Sequence, residues 1–263
     1  MSLGFTRSPS EHAVYTRGKD GERLLLGVYV DNLILTGACT KIIAKFKEEM
    51  SNKFCMSDLG LLKLYLGIEV MQAPGMITLK QATFARKLLE KAGMADCNSV
   101  HVPMEPRLKL SKVSTNPPVD VTLYRSIVGS LRYLVHTRPD ISFAVGFVSR
   151  FMEKPTTEHM SAVKHILRYI AGTLHYGCSY RSSGNNEQLV GYSDANHAGD
   201  VDDRKSTTGN LFFLGRCPIT WQSQKQRVVS LSSCQAEYIA ASTAACQAVW
   251  LGRLIGEIGR AHV

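Results

Sequence analysis

The sequence predicts an α+β fold laid out in blocks. Three observations carry that expectation. Two apolar runs, Leu24 to Gly37, meet at a polar tip as in a β-hairpin; the stretch from 121 to 172 repeats at helical spacing; and short strand-like runs between 189 and 232 give way to one long helical pattern ending near Ile258. With 263 residues, 44% of them apolar and 20% charged, the chain is long enough to bury more than one core. Lys and Arg number 31 against 22 Asp and Glu, a net charge of +9, which favours polyanionic partners. No apolar stretch approaches the roughly 18 residues of a membrane span, and the N-terminus lacks the basic-then-apolar order of a secretory signal. Seven cysteines without CxxC spacing indicate reduced thiols, hence the cytosol or nucleus, and no zinc site.

In order along the chain, His12 to Thr16 reads as a strand, and Gly18-Lys19-Asp20-Gly21 as a turn leading into the hairpin. Tyr29-Val30-Asp31-Asn32 forms the hairpin tip, with Asp and Asn as turn formers. Residues 41 to 52 place Ile42, Ile43, Phe46 and Met50 on one helical face. Leu64 to Met71 and Met76 to Leu79 flank the turn signal Ala73-Pro74-Gly75, a second hairpin. Ala82 to Ala92 is a short amphipathic helix stopped at Gly93, and Lys80, Arg86, Lys87 and Lys91 cluster there. Val102 to Val119, with four prolines, is expected to be an extended, exposed linker.

Residues 121 to 136 form a helix, Pro139 restarts one with Asp140 in its first turn, and Thr156 or Thr157 caps a third that ends at Gly172. Lys164 and Arg168 share a face of that third helix. Gly184-Asn185-Asn186 marks the last boundary. Leu189 to Asp194, Asn210 to Leu214, Ile219 to Gln222 and Val228 to Ser232 read as strands, and Cys234 to Ile258 as a helix. Asp200, Asp202 and Asp203 read as solvated residues of a turn between strands. No GxxxxGK[ST], HExxH or Gly-rich strand-to-helix loop occurs.

Several blocks resemble, in order and spacing, the reverse transcriptase of copia-type LTR retrotransposons: the hairpin tip, Tyr65-Leu66-Gly67-Ile68-Glu69, Tyr124 to Val145, His165 to Thr173, Gly191 to Gly209, Ser232 to Tyr238, and Val249-Trp250-Leu251. The resemblance implies a partial palm and thumb over 1–105, a linker and helical connection over 106–184, and an incomplete ribonuclease H-like sheet with helix over 185–263. It implies Asp31 as a palm metal ligand and catalytic residue, and Asp194 and Glu237 as the corresponding carboxylates of the ribonuclease H part, with Mg²⁺ as cofactor. RNA–DNA hybrid or duplex is the implied partner, along Lys80, Arg86, Lys87, Lys91, Lys164 and Arg168, and other parts of the Pol polyprotein are possible partners.

The sequence departs from the family at three points. Asn32 stands where the family has a second Asp, Asn196 where it commonly has Asp, and His197 where it commonly has Trp; the last two read as drift. Further carboxylates of the family pattern are not found in this stretch. The chain is therefore expected to be inactive as it stands, with a non-catalytic nucleic-acid-binding remnant as the alternative.

Overall fold

The computed structural model describes residues 3–37, 39–182 and 188–259. The fold is mixed, with three antiparallel sheets and six α-helices among the described residues. It divides into two compact units: residues up to Leu62 together with those from Cys246 onward, and Lys63–Ala245. The expected turn at Gly184-Asn185-Asn186 lies outside the described residues.

In the first unit, β1 (Thr6–Arg7), β2 (Val14–Arg17), β3 (Leu24–Tyr29) and β4 (Asn32–Gly37) pair antiparallel in that order. Helix α1 (Thr40–Ser51) covers the sheet with the expected face. The core is small: Leu24, Leu26 and Phe46 are buried, with Phe5, Leu35 and Ile43 packed around them. The Arg17 guanidinium sits 5.4 Å from the Phe5 ring centroid and 5.3 Å from that of Phe46, and pairs with Glu49 at 2.7 Å. The C-terminal part of a long helix, α6 (Ser233–Ile258), completes this unit. There the Trp250 indole N–H donates to Ser10 O at 2.8 Å, and the Ser8 and Ser10 hydroxyls bind the Glu257 carboxylate.

The second unit begins with a sheet ordered β5 (Leu64–Tyr65), β6 (Ile68–Ala73), β7 (Met76–Lys80) and β8 (Gly177–Arg181). The run from Leu64 to Met71 is thus two strands, not one. Leu66 and Gly67 carry φ of +49° and +78°, a tight turn for which Gly67 supplies the freedom. The Tyr133 hydroxyl donates to Leu66 O, and a Cβ at Gly67 would lie 2.8 Å from the Tyr133 hydroxyl oxygen. The Tyr-Leu-Gly and Leu-Arg-Tyr-Leu segments are therefore packing partners.

Helices α2 (Ala82–Lys91), α3 (Val121–Leu134), α4 (Ser142–Val148) and α5 (Thr157–Gly172) share one core, including Leu88, Leu131, Val148, Ile166 and Leu167. That core joins residues from both sides of position 105. Caps set the helix starts as the residue types predict. Asp120 accepts from Thr122 N at 2.7 Å, and the Glu69 carboxylate accepts from Thr83 N at 2.7 Å at the start of α2. Thr156 N donates to His159 Nδ1 at 2.9 Å in a capping-box arrangement for α5. The helix expected to restart at Pro139 is shorter, because 3-10 turns at Pro139–Ile141 and Ser149–Phe151 bracket α4.

Arg138, 2% exposed, explains the Thr-Arg-Pro-Asp segment. Its guanidinium pairs with Asp140 at 2.7 Å and donates to Thr173 O at 3.0 Å and Thr173 Oγ1 at 2.7 Å. The Tyr169 hydroxyl adds a bond to Asp140 at 3.0 Å. A buried guanidinium is tolerated only when its donors are matched in this way.

The proline-rich stretch carries no helix or strand, as expected, and is mostly exposed, but it is fastened down. Leu110 is buried, His159 Nε2–H donates to Ser111 O at 3.0 Å, and Lys112 N donates to Asp202 at 2.8 Å.

The third sheet, ordered β11 (Cys217–Lys225), β10 (Thr207–Leu214), β9 (Leu189–Ala195), is antiparallel throughout. No strand forms at Val228–Ser232. The polar groups there turn to local side chains: Ser230 Oγ donates to Gln226 Oε1 at 2.8 Å and Leu231 N to Gln235 Oε1 at 2.6 Å. The start of α6 packs on β9 through Ala195, Ala236 and Ala240, whose small side chains permit close approach. No helix among the described residues is long and apolar enough to cross a membrane, and all seven cysteines are free.

Candidate functional site

The β3–β4 register pairs Tyr29 with Asn32, so the two turn residues are Val30 and Asp31. The turn pair is not Asp-Asn; Asn32 already belongs to β4. Val30 has φ +54°, and a β-branched residue rarely occupies the left-handed region, at a cost of order 1–3 kcal/mol. Val30 is 86% exposed, so no burial of its side chain repays that cost. The strained turn holds Asp31 at the crest of a paired hairpin, exposed, with no described side chain bonded to it. Strain of this kind clusters at sites where geometry serves function.

The second acidic pair lies at the end of β9. Asp194 is exposed, and Ala195, next along the strand, packs against α6. Glu237, on the first turns of α6, accepts from Ala195 N at 3.2 Å. Glu237 thus meets the peptide that follows Asp194, while alternation along β9 puts the Asp194 side chain on the face that carries Tyr192 and Trp221 and not on the face of Ala195 and α6.

The carboxylates after them have a different use. Asp200 is 5% exposed, not solvated. Lys225 lies 2.6 Å from it and Arg150 3.3 Å, and its Oδ1 accepts from Asp202 N and Asp203 N at 3.0 and 3.3 Å. Burial pushes the Asp200 carboxyl up, but the Lys225 ammonium and those two N–H groups prevail and hold it at about 2. Asp203 also pairs with Lys225, at 2.8 Å. Only Asp202 and Asp203 remain exposed, as expected. Asn196, read as drift, clasps the same loop: its Oδ1 accepts from Thr207 N at 2.6 Å.

Among the described residues no group of three or more His, Cys, Asp or Glu side chains is placed to hold a metal ion. Mg²⁺ demands an octahedral oxygen shell and gives up water reluctantly. One exposed carboxylate at Asp31, beside a neutral Asn32, and two around Ala195 supply only part of such a shell.

The basic residues expected to meet phosphates differ in their freedom. Arg86, Lys87 and Lys164 are exposed and bonded to none of the described side chains, whereas Lys80, at the end of β7, is half-buried. Lys91 Nζ donates to Ser126 Oγ at 2.6 Å, and Arg168 Nε to Asn98 O at 2.7 Å, so these two also tie the helical core together. Sequence reading missed the two buried guanidiniums, Arg138 and Arg150. Their signal was an acidic residue close by in the sequence only for Arg138; the partner of Arg150 is fifty residues away.

Comparison with known proteins adds to this geometry. The family profile described as "Reverse transcriptase (RNA-dependent DNA polymerase)" matches residues 1–106. The chain is 39% identical over 259 residues to the retrovirus-related Pol polyprotein from transposon RE1 of Arabidopsis thaliana. It is 39% identical over 268 residues to that from transposon TNT 1-94 of Nicotiana tabacum. In each case 98% of this chain is covered, and it spans 18% and 20% of those relatives. A putative transposon Ty5-1 protein of Saccharomyces cerevisiae is 33% identical over 91% of this chain and 79% of its own length. The chain belongs to the reverse-transcriptase family found in the Pol polyproteins of copia-type retrotransposons.

Proposed function

We propose that the chain carries the late palm, thumb and connection of a copia-type reverse transcriptase followed by the opening part of its ribonuclease H-like domain. In this reading 1–105 is palm and thumb, 106–184 linker and connection, and 185–263 the ribonuclease H-like part. These residues on their own hold RNA–DNA hybrid or duplex without extending or cleaving it, in the cytosol or nucleus. Catalysis by the Pol polyprotein draws on further parts of it.

The observation that carries the reading is the docking of α6 on β9, with the Glu237 carboxylate accepting from Ala195 N, where the first strand of a three-stranded antiparallel sheet lies against the helix that follows the sheet. Two-metal phosphoryl transfer needs more carboxylates than this pair supplies. At the hairpin tip Asp31 stands next to an amide, which lowers the negative charge available to offset a divalent ion. The exposed Arg86, Lys87 and Lys164 supply phosphate contacts that position a duplex without reading its bases.

Two assays test this on the 263-residue chain. Primer extension on an RNA template should yield no product with Mg²⁺ or Mn²⁺; template-dependent extension that vanishes in Asp31→Ala overturns the reading. Hybrid binding should be insensitive to sequence and should weaken steeply with salt, with a slope of about −0.9 per phosphate contacted on a B-form duplex. No binding at low salt removes the nucleic-acid role.

A further inference from the structure

A cleft of about 510 Å³ opens between the turn into α4 and the β9–β10–β11 sheet. Phe143, Tyr192, Asp194 and Trp221 are among the residues that line it. Phe143 is 50% exposed and Tyr192 61%, unusual for large rings in a chain with a packed core close by. Each ring is anchored on one side. Phe143 stacks on Phe147 with centroids 6.1 Å apart, and Tyr192 meets Phe213 edge-on at 6.0 Å. The Trp221 indole is fixed by its N–H bond to Val135 O at 2.9 Å. Gly146 lets α4 lie close on β11, since a Cβ there would come within 3.1 Å of Ser223 O. The aromatic surfaces are therefore held in place before any ligand arrives, which reduces the entropy lost on binding.

The charge of the cleft selects its occupant. Among the described residues that line it there is no Lys or Arg, and Asp194 is the sole charged group. A phosphate would meet a carboxylate and no cation. An uncharged planar ring with N–H donors would meet aromatic faces and an acceptor. We propose that this cleft takes an unstacked nucleobase, with Tyr192 or Phe143 against its face and the Asp194 carboxylate accepting from its amino edge. The proposal rests on the nucleic-acid role given above but assigns a contact of a different kind, salt-independent stacking in place of phosphate pairing.

The probes are guanosine and cytidine, which carry no phosphate, against ribose 5-phosphate. The chain has two tryptophans, so a Trp250→Phe variant leaves Trp221 as the reporter. Saturable quenching of Trp221 by the nucleosides, unchanged between low and high salt, is expected. Tyr192→Ala or Phe143→Ala should weaken it about tenfold. Both rings are half exposed, so these variants should keep the wild-type circular dichroism. Equilibrium dialysis of radiolabelled guanosine against the unaltered chain gives the same answer should Trp250→Phe fail to fold. Absence of nucleoside binding, equal binding of ribose 5-phosphate, or no effect of either ring variant overturns the proposal. Salt-sensitive hybrid binding without nucleoside binding removes the cleft alone. Nucleoside binding without hybrid binding removes the phosphate track and keeps the cleft.

Discussion

Asp194 and Asp200 lie six positions apart, one in β9 and one in the connection to β10, and the fold treats them oppositely. Asp200 has two cationic partners and two backbone N–H donors, and almost no exposure. Asp194 is exposed, and none of the described side chains is bonded to it. Asp140, paired with a buried Arg138, resembles Asp200; Asp31, at the crest of a strained turn, resembles Asp194. Acidic residues that a motif lists side by side thus divide into those spent on folding and those left for something outside the chain. A carboxylate already neutralised by two cations cannot be a strong metal ligand without breaking those pairs.

The largest expected effect tests the paired class. Asp200→Ala leaves the Arg150 guanidinium, 9% exposed, without its carboxylate partner and with only Thr207 Oγ1 to accept from it, and removing one member of a buried pair costs about 3–5 kcal/mol. Asp194→Ala should change stability by no more than about 0.5 kcal/mol, as for an exposed site. Urea unfolding of both variants checks the contrast, and equal losses would break it.

Acid titration sharpens it. The Asp200 carboxyl is held at about 2 against an unfolded value of 3.8. A depressed carboxyl contributes stability that is present above the unfolded value and lost as pH falls toward the folded one. Stability should therefore decline between about pH 5 and 2, and Asp200→Asn should flatten that decline. His159 works at a higher pH. Burial, partly offset by Ser111 O and by the Glu158 and Asp202 carboxylates, lowers its affinity for a proton below the usual value of 6.5. The unfolded chain takes up that proton first, so stability should begin to fall as pH drops through about 6.5. His159→Gln should remove this earlier loss and leave the acid-side decline unchanged.

A smaller effect separates two basic residues on α5. Lys164→Ala should reduce the slope of log hybrid affinity against log salt by about 0.9 without a change in stability. Arg168→Ala also breaks the bond to Asn98 O, which should cost about 1 kcal/mol of stability.

Much of this was legible in the sequence. Helical spacing located α1, α2, α5 and α6 to within about two residues: glycines stop α2 and α6 and Thr156 caps α5, whereas α1 shows itself by its apolar face alone. The β3–β4 hairpin followed from its two apolar runs. Non-local pairings were not legible. β8 joins β7 across about a hundred residues, an association that no local pattern encodes. Val228-Val229 has the composition of a strand, yet the polar groups around it find nearby side chains and no sheet neighbour. Asp200 reads as a surface turn residue because Arg150 and Lys225, which bury it, lie far off in sequence. At the candidate site, residue identities could be read, but not the strain at Val30 or the approach of Glu237 to Ala195. Both depend on register, which sequence spacing does not fix.

The central claim of the proposed function is that Asp194 and Glu237, within these residues, do not complete a cleavage site. The most direct measurement is cleavage of a labelled RNA strand in RNA–DNA hybrid by the 263-residue chain, with Mg²⁺ or Mn²⁺, beside Asp194→Asn and Glu237→Gln. The account predicts intact RNA in all three under conditions where the hybrid is bound. Metal-dependent cleavage by the unaltered chain that disappears in either variant would contradict it.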